Sequence, residues 1–170
     1  MKGPTHRLIG TSLAGVAALA TGSSIFVAVG LVGVAYKTSK GPDQLEGGIL
    51  PHRGPTHRVW AVAVAAGAAA LAVAFAWPRV MRLAWPGDAD PSWLVGFGPT
   101  AALVVASGVV LGYGGHLAAD ACTRGGLRVA GRKVWLLPRP LRIKVGSWAE
   151  ALLFLAIVMA WAAYVWVVYA

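Results

Sequence analysis

The sequence predicts an all-α integral membrane protein: an N-terminal helical hairpin followed by three transmembrane helices, with metal-site loops on the cytoplasmic face. Composition is the first reason. The 170 residues are 58% hydrophobic and only 12% charged, with a mean hydropathy of +0.67, too apolar for a soluble domain of this size. The second reason is three long uncharged runs. Val59 to Trp77 spans nineteen residues without a charge, close to the ~20 needed to cross a bilayer; Trp93 to Gly115 and Ala151 to Ala170 are the others. The third is the placement of the four histidines. His6, His52, His57 and His116 all stand at polar edges of apolar sequence, and the last three share their segments with Asp43, Glu46 or Asp120. Imidazole and carboxylate together are the usual ligands of a divalent metal such as zinc.

Charge sets the expected orientation. Thirteen of the fifteen Lys and Arg lie in the N-terminus, the 37–58 loop or the segment after His116. Only Arg79 and Arg82 lie between the first two clear spans, where Asp88 and Asp90 offset them. This positive-inside bias places every histidine-bearing segment on the cytoplasmic side. The net charge of +9 reads as a polybasic surface held against anionic headgroups, each charge contributing about 1 kcal/mol, in preference to nucleic-acid binding. Membrane lipids are the expected partners.

The chain reads as a single membrane-embedded domain, residues 1–170. Residues 8–36 are uncharged, long for one span, and broken at Gly22-Ser23-Ser24. A turn at Thr21 to Ser24 makes them a hairpin of two helices, each of about a dozen residues, which is allowed where such elements pack on other protein. A single span would put His6 across the membrane from His57. A cleaved signal peptide would discard His6, and no soluble domain follows.

Residues 37–58, KTSKGPDQLEGGILPHRGPTHR, form the expected metal-site loop. Asp43, Glu46, His52 and His57 fall within fifteen positions, among Gly and Pro residues that turn the chain. Helices over 59–85 and 93–115 then cross and return, bringing the chain back to its starting side. The glycines of GYGGH (112–116) permit close packing there. His116 and Asp120, four residues apart on a site helix, share one face at about 5 to 6 Å.

The rest of the 116–146 segment is basic. Short runs around Val134 to Leu137 and Leu141 to Val145 suggest small strands or an interfacial flap. Ser147 to Glu150 fits a capping box opening a last helix over 148–170, although Glu150 is equally a candidate metal or water ligand. Trp161, Tyr164, Trp166 and Tyr169 fit an interfacial aromatic belt. The single cysteine, Cys122, reads as a small packed residue with no catalytic base beside it.

A THR near the start, a PD-containing loop leading to HRGPTH, GYGGHLAADACT and GSWAE together resemble the bacterial membrane-bound metal-dependent hydrolases, the YdjM-like inner-membrane proteins. Where that family's loop reads LPDxD, this chain has GPDQLE, so Leu45 stands at the second aspartate position and Glu46 follows one residue later. The order His, Asp, His, HxxxD is also distantly similar to the zinc-dependent phospholipase C and single-strand nuclease superfamily. That similarity implies one zinc on Asp43, His57, His116 and Asp120, and a second shared by His6 and Asp120. The later histidines of those enzymes are absent, so one or two ions are expected.

The implied activity is phosphoester hydrolysis at the cytoplasmic surface of the bacterial inner membrane, with a lipid headgroup as the natural substrate. Asp43 or Glu46 would orient water, Arg53 or Arg58 would bind phosphate, and His52 would be an additional ligand. Thr56 and Thr123, inside the motifs, would support the site. Two rivals from other classes remain: a binding or regulatory membrane protein with a structural metal, and a transporter. The transporter is the weakest, because no ionisable residue lies inside the three clear spans.

Overall fold

A computed structural model describes residues 3–46, 55–84, 92–129 and 132–169. The protein is mostly helical. Helix α1 (Gly3–Ala20) and helix α2 (Ile25–Thr38) form the N-terminal hairpin. Gly22 supplies the turn with a positive φ of 59°, a conformation open to glycine without steric cost. Ser24 caps α2 by accepting from the Val27 N–H. The arms are about 27 and 21 Å long at 1.5 Å per residue, longer than the dozen residues expected because α1 begins at Gly3. His6 is therefore a helical residue near the start of α1.

The 37–58 segment is less loop-like than its Gly and Pro content suggests. Helix α2 runs on to Thr38, and Gly41–Glu46 form a short helix, α3. Pro42 near its start has no N–H to lose there and is already set in φ. A 3-10 turn, Pro55–His57, leads into α4 (Val59–Ala84).

Helix α5 (Ser92–Ala121) continues unbroken through the glycines to the end of the site sequence. The separate site helix expected after Gly115 is thus the last turns of α5 itself. Glycine lowers intrinsic helicity, but here it buys close packing. A Cβ on Gly112 would lie 2.7 Å from the Cα of Ala35, one on Gly108 2.6 Å from the Cβ of Val34, and one on Gly10 3.1 Å from the Cα of Gly112. The GxxxG spacing of Gly108 and Gly112 therefore seats α2 directly on α5, while Gly10 and Gly115 do the same for α1.

Two apolar clusters hold the bundle. Ala14, Ala18, Leu31 and Ala35 fill the hairpin. Ala61, Ala66, Val109, Tyr113, Leu117, Ala121 and Leu127 join α4 to α5.

The fold is not purely α-helical. Strands β1 (Leu127–Val129) and β2 (Arg132–Val134) pair antiparallel, with Leu127 opposite Val134, Arg128 opposite Lys133 and Val129 opposite Arg132. This hairpin lies earlier than the strands expected around Val134–Leu137 and Leu141–Val145. Of those expected strands, a bridge between Thr123 and Ile143 is what forms. Backbone bonds Leu136 N–H to Ala121 O, Ile143 N–H to Cys122 O and Arg124 N–H to Ile143 O fasten the segment to the end of α5. The Arg142 guanidinium lies 4.0 Å over the Trp135 ring, a cation–π contact that braces the strand pair.

Helix α6 (Trp148–Tyr169) closes the described chain. At its start the Glu150 carboxylate accepts from the Gly146 N–H at 2.7 Å, one residue earlier than the expected capping box. Trp161 packs on Gly15 of α1 and its indole N–H donates to Ser12 Oγ at 2.8 Å. It is therefore a helix–helix contact rather than only a belt residue.

Among the described residues three helices are long and apolar enough to cross a membrane: Val59–Leu83, Phe97–Ala121 and Trp148–Val168.

Candidate metal centre

Five side chains far apart in sequence meet at one end of the bundle: His6 from the start of α1, Asp43 from α3, His57 from the 3-10 turn, and His116 and Asp120 from the end of α5. His6, His57, His116 and Asp120 are buried, and the Asp43 side chain is 42% exposed. Asp43 is thus the donor nearest to solvent.

The local chemistry follows from one backbone group. His116 Nδ1 lies 2.8 Å from the Ser39 carbonyl. A carbonyl only accepts, so Nδ1 carries the proton and, in the neutral ring, Nε2 presents a lone pair. That lone pair faces His57 Nε2 at 3.4 Å, Asp43 Oδ1 at 3.6 Å and Asp120 Oδ2 at 3.8 Å. His57 Nε2 is in turn 3.6 Å from both Asp43 Oδ1 and Asp120 Oδ2.

These five separations exceed the 2.7–3.2 Å of ordinary hydrogen bonds. They approach the ~3.3 Å edge of a tetrahedron whose ligands stand 2.0–2.1 Å from a zinc ion. Nitrogen and oxygen atoms held apart in this way could hold a metal ion.

His6 adds a fifth donor. Its ring stacks on His116 with centroids 3.8 Å apart, and its Nε2 lies 3.5 Å from Asp120 Oδ1. Asp120 thereby divides its two oxygens, Oδ2 toward His57 and His116 and Oδ1 toward His6. Two donor sets result, His6-His116-Asp120 and Asp43-His57-His116, with the ligand atoms in each within 4.8 Å of one another. A single His116 Nε2 has one lone pair, so it can serve only one of the two sets at a time. Buried His and Asp groups could thus hold metal.

Electrostatics act on two of the donors, Asp43 and His6. The His57 imidazole beside Asp43 holds its carboxyl down at about 2 despite partial burial, with His116 and His6 adding to the effect. Burial, followed by the neighbouring His116, lowers His6 to about 4, leaving it neutral at pH 7. Among the described residues His6 Nδ1 is buried with no hydrogen-bond partner, a desolvation cost of about 1–3 kcal/mol.

The remaining sequence candidates divide. The Thr56 backbone carbonyl accepts from the Tyr113 hydroxyl, which fixes the turn carrying His57. Thr123 Oγ donates to the Asp120 carbonyl at 2.8 Å, satisfying the end of α5. Glu150 is occupied at the start of α6 and belongs to neither donor set. Arg58 is exposed. Glu46 ends α3, and its side chain lies outside the described residues, as do His52 and Arg53. Cys122 is half-buried, and burial pushes its thiol up, which fits a packed residue.

Sequence reasoning missed Ser39 and gave Tyr113 no role, although Tyr113 stands three positions before His116, on the same helix face. It also missed the mouth of the site. His57 and Asp120 form the floor of a cavity of about 260 Å³ whose other walls are Gly125, Gly126, Leu127, Arg128 and Lys133. No protein-family model, no curated protein and no solved structure matches this chain.

Proposed function

We propose that the protein is a membrane-embedded, metal-dependent hydrolase acting on a phosphoester at the cytoplasmic surface of the bacterial inner membrane. The observation that carries this reading is the convergence of His57, His116, Asp43 and Asp120 at separations of 3.4–3.8 Å, with His57 and Asp120 also lining a cavity beside them. The positive-inside charge bias supports the orientation.

His57, His116, Asp120 and Asp43 would hold one ion, and His6 with Asp120 a second. Bound there, a divalent ion such as zinc supplies Lewis acidity toward a phosphoryl oxygen and lowers the pKa of water. The chain's own residues do the rest. The Ser39 carbonyl and the Tyr113 hydroxyl fix the two imidazole-bearing segments, as orienting partners of metal ligands do. Asp43, ionised and half-open to solvent, would accept a proton from water reaching it on its exposed side. The glycine-packed walls of α1, α2 and α5 exclude bulk water from the buried side.

The deep burial of His6, His116 and Asp120 favours a second reading, a structural metal tying the hairpin to α5, because structural sites are closed. Elemental analysis of the detergent-purified protein, followed by a panel of phospholipids and soluble phosphodiesters, separates the two. Wild type should carry stoichiometric metal and hydrolyse one class. The His57→Ala, His116→Ala and Asp120→Ala variants should lose both. Metal retention with no turnover across the panel leaves the structural reading; a well-folded wild type that takes up no supplied zinc ends both.

A further inference from the structure

We infer that the β1–β2 hairpin is the anion-recognition element of the site, with Arg128 and Lys133 together gripping the phosphate of a phosphoester. The inference deepens the hydrolase reading and rests on it for the identity of the ligand.

The two residues are directly opposite in the antiparallel ladder, so they project from the same face of the strand pair. Like charges in that relation repel and weaken a hairpin, and this one has only three residues per strand. The remedy lies in front of them: both line the cavity whose floor is His57 and Asp120. An anion seated there would neutralise both cations while facing the metal-site carboxylate and imidazole.

Two other arginines are engaged elsewhere. Arg7 donates to the Tyr36 hydroxyl at 2.7 Å, and Arg142 covers Trp135 while donating to the Leu137 carbonyl. Arg58, one of the two arginines expected to hold phosphate, is exposed and does not line this cavity. The planar fork of Arg128 matches two phosphate oxygens, and Lys133 adds a point charge.

The hairpin is built to hold this geometry. Gly126 turns the chain into β1 with a φ of 68°, and a Cβ there would lie 2.6 Å from Trp135 Nε1. Arg132 is the internal control. It pairs with Val129, one register step away, so alternation puts it on the opposite face.

The test measures binding, not turnover. Inorganic phosphate and glycerophosphate are titrated by calorimetry into zinc-supplied, detergent-purified protein. Arg128→Gln and Lys133→Gln should each weaken affinity about tenfold, the scale of a charge-assisted contact, and the double variant more. Metal content should be unchanged, and Arg132→Gln should stay within about twofold. Nanodiscs of phosphatidylcholine with or without phosphatidylglycerol then identify the source. If a lipid headgroup is the natural occupant, phosphatidylglycerol competes with phosphate in wild type but not in the double variant. If the ligand is soluble, added phosphatidylglycerol affects wild type and double variant alike.

Equal losses in Arg132→Gln and Arg128→Gln would reduce the hairpin to a generally basic surface and overturn the inference. So would a double variant that binds phosphate like wild type. Phosphate bound in this pattern with no phosphoester turned over would sink the hydrolase reading and leave the anion site standing.

Discussion

Helices α5 and α6 are both apolar enough to cross a membrane, yet the protein uses them in opposite ways. In the most apolar part of α5, 39% of residues are buried inside the protein; in that of α6, none are. Helix α5 is packed by α1, α2 and α4 and carries two of the five donors at its end. Helix α6 leans on α1 through Trp161, and beyond Glu150 none of its described residues is buried. What separates them is glycine. With lipid as solvent there is little hydrophobic drive between helices, so association depends on close backbone approach and polar contacts. The α5 sequence offers Gly108, Gly112 and Gly115 on its packed faces, whereas α6 mixes Ala with Leu, Val and Trp and contains no glycine.

The contrast breaks most visibly at Gly112. A Cβ there already meets the backbone of Ala35, and the two extra methyls of valine have nowhere to go. Gly112→Val should force α2 away from α5, costing about 1–3 kcal/mol or more, as overpacking does. It should also displace the Ser39 carbonyl that orients His116. Thermal unfolding in detergent, read together with bound metal, checks this: both should fall. Unchanged metal in a destabilised protein would mean that the seam supports the bundle without positioning the site.

The five donors stand out in the sequence because histidine is rare in this chain, and Asp43, His57, His116 and Asp120 fall beside turn residues at the ends of apolar runs. The hairpin turn is legible for a related reason, since Gly22 with two serines interrupts an otherwise uniform run. Other features leave no such trace. The Ser39 carbonyl orients His116 through a backbone atom, which any residue possesses. Helix α3 forms within a Gly- and Pro-rich segment because Pro42 falls where a helix starts, a position that composition alone does not reveal. Arg128 and Lys133 are two among many basic residues after His116, and only the strand register brings them to one face. Packing erases the break expected at Gly115, since the glycines that lower helicity are the ones that let α1 and α2 approach.

A finer probe of α5 is Tyr113, whose hydroxyl donates to the Thr56 carbonyl and so ties the end of α5 to the turn bearing His57. Tyr113→Phe keeps the ring in the α4–α5 cluster and removes only the hydroxyl. The fold should survive with a loss of about 1 kcal/mol. Metal affinity should drop roughly tenfold or more, as when an orienting partner is removed. Metal competition with a chelator of known affinity provides the measurement, and wild-type affinity in the variant would show that the turn is held by its other contacts.

The smallest effect belongs to α6. Trp161→Leu removes the indole donor to Ser12 and the ring that covers Gly15, so the variant should melt lower by an amount equivalent to about 1 kcal/mol. Metal content and phosphate affinity should equal those of wild type, because neither donor set includes a residue of α6. The one route by which the change could reach the site runs along α1, where Ser12 and Gly15 lie on the same helix as His6, two to three turns away. If metal is lost in Trp161→Leu, α1 transmits the strain of its outer face to His6, and α6 is part of the site's scaffold. If it is retained, the donors do not depend on the Trp161 contact, and the packing of α1, α2 and α5 on one another is enough to hold them.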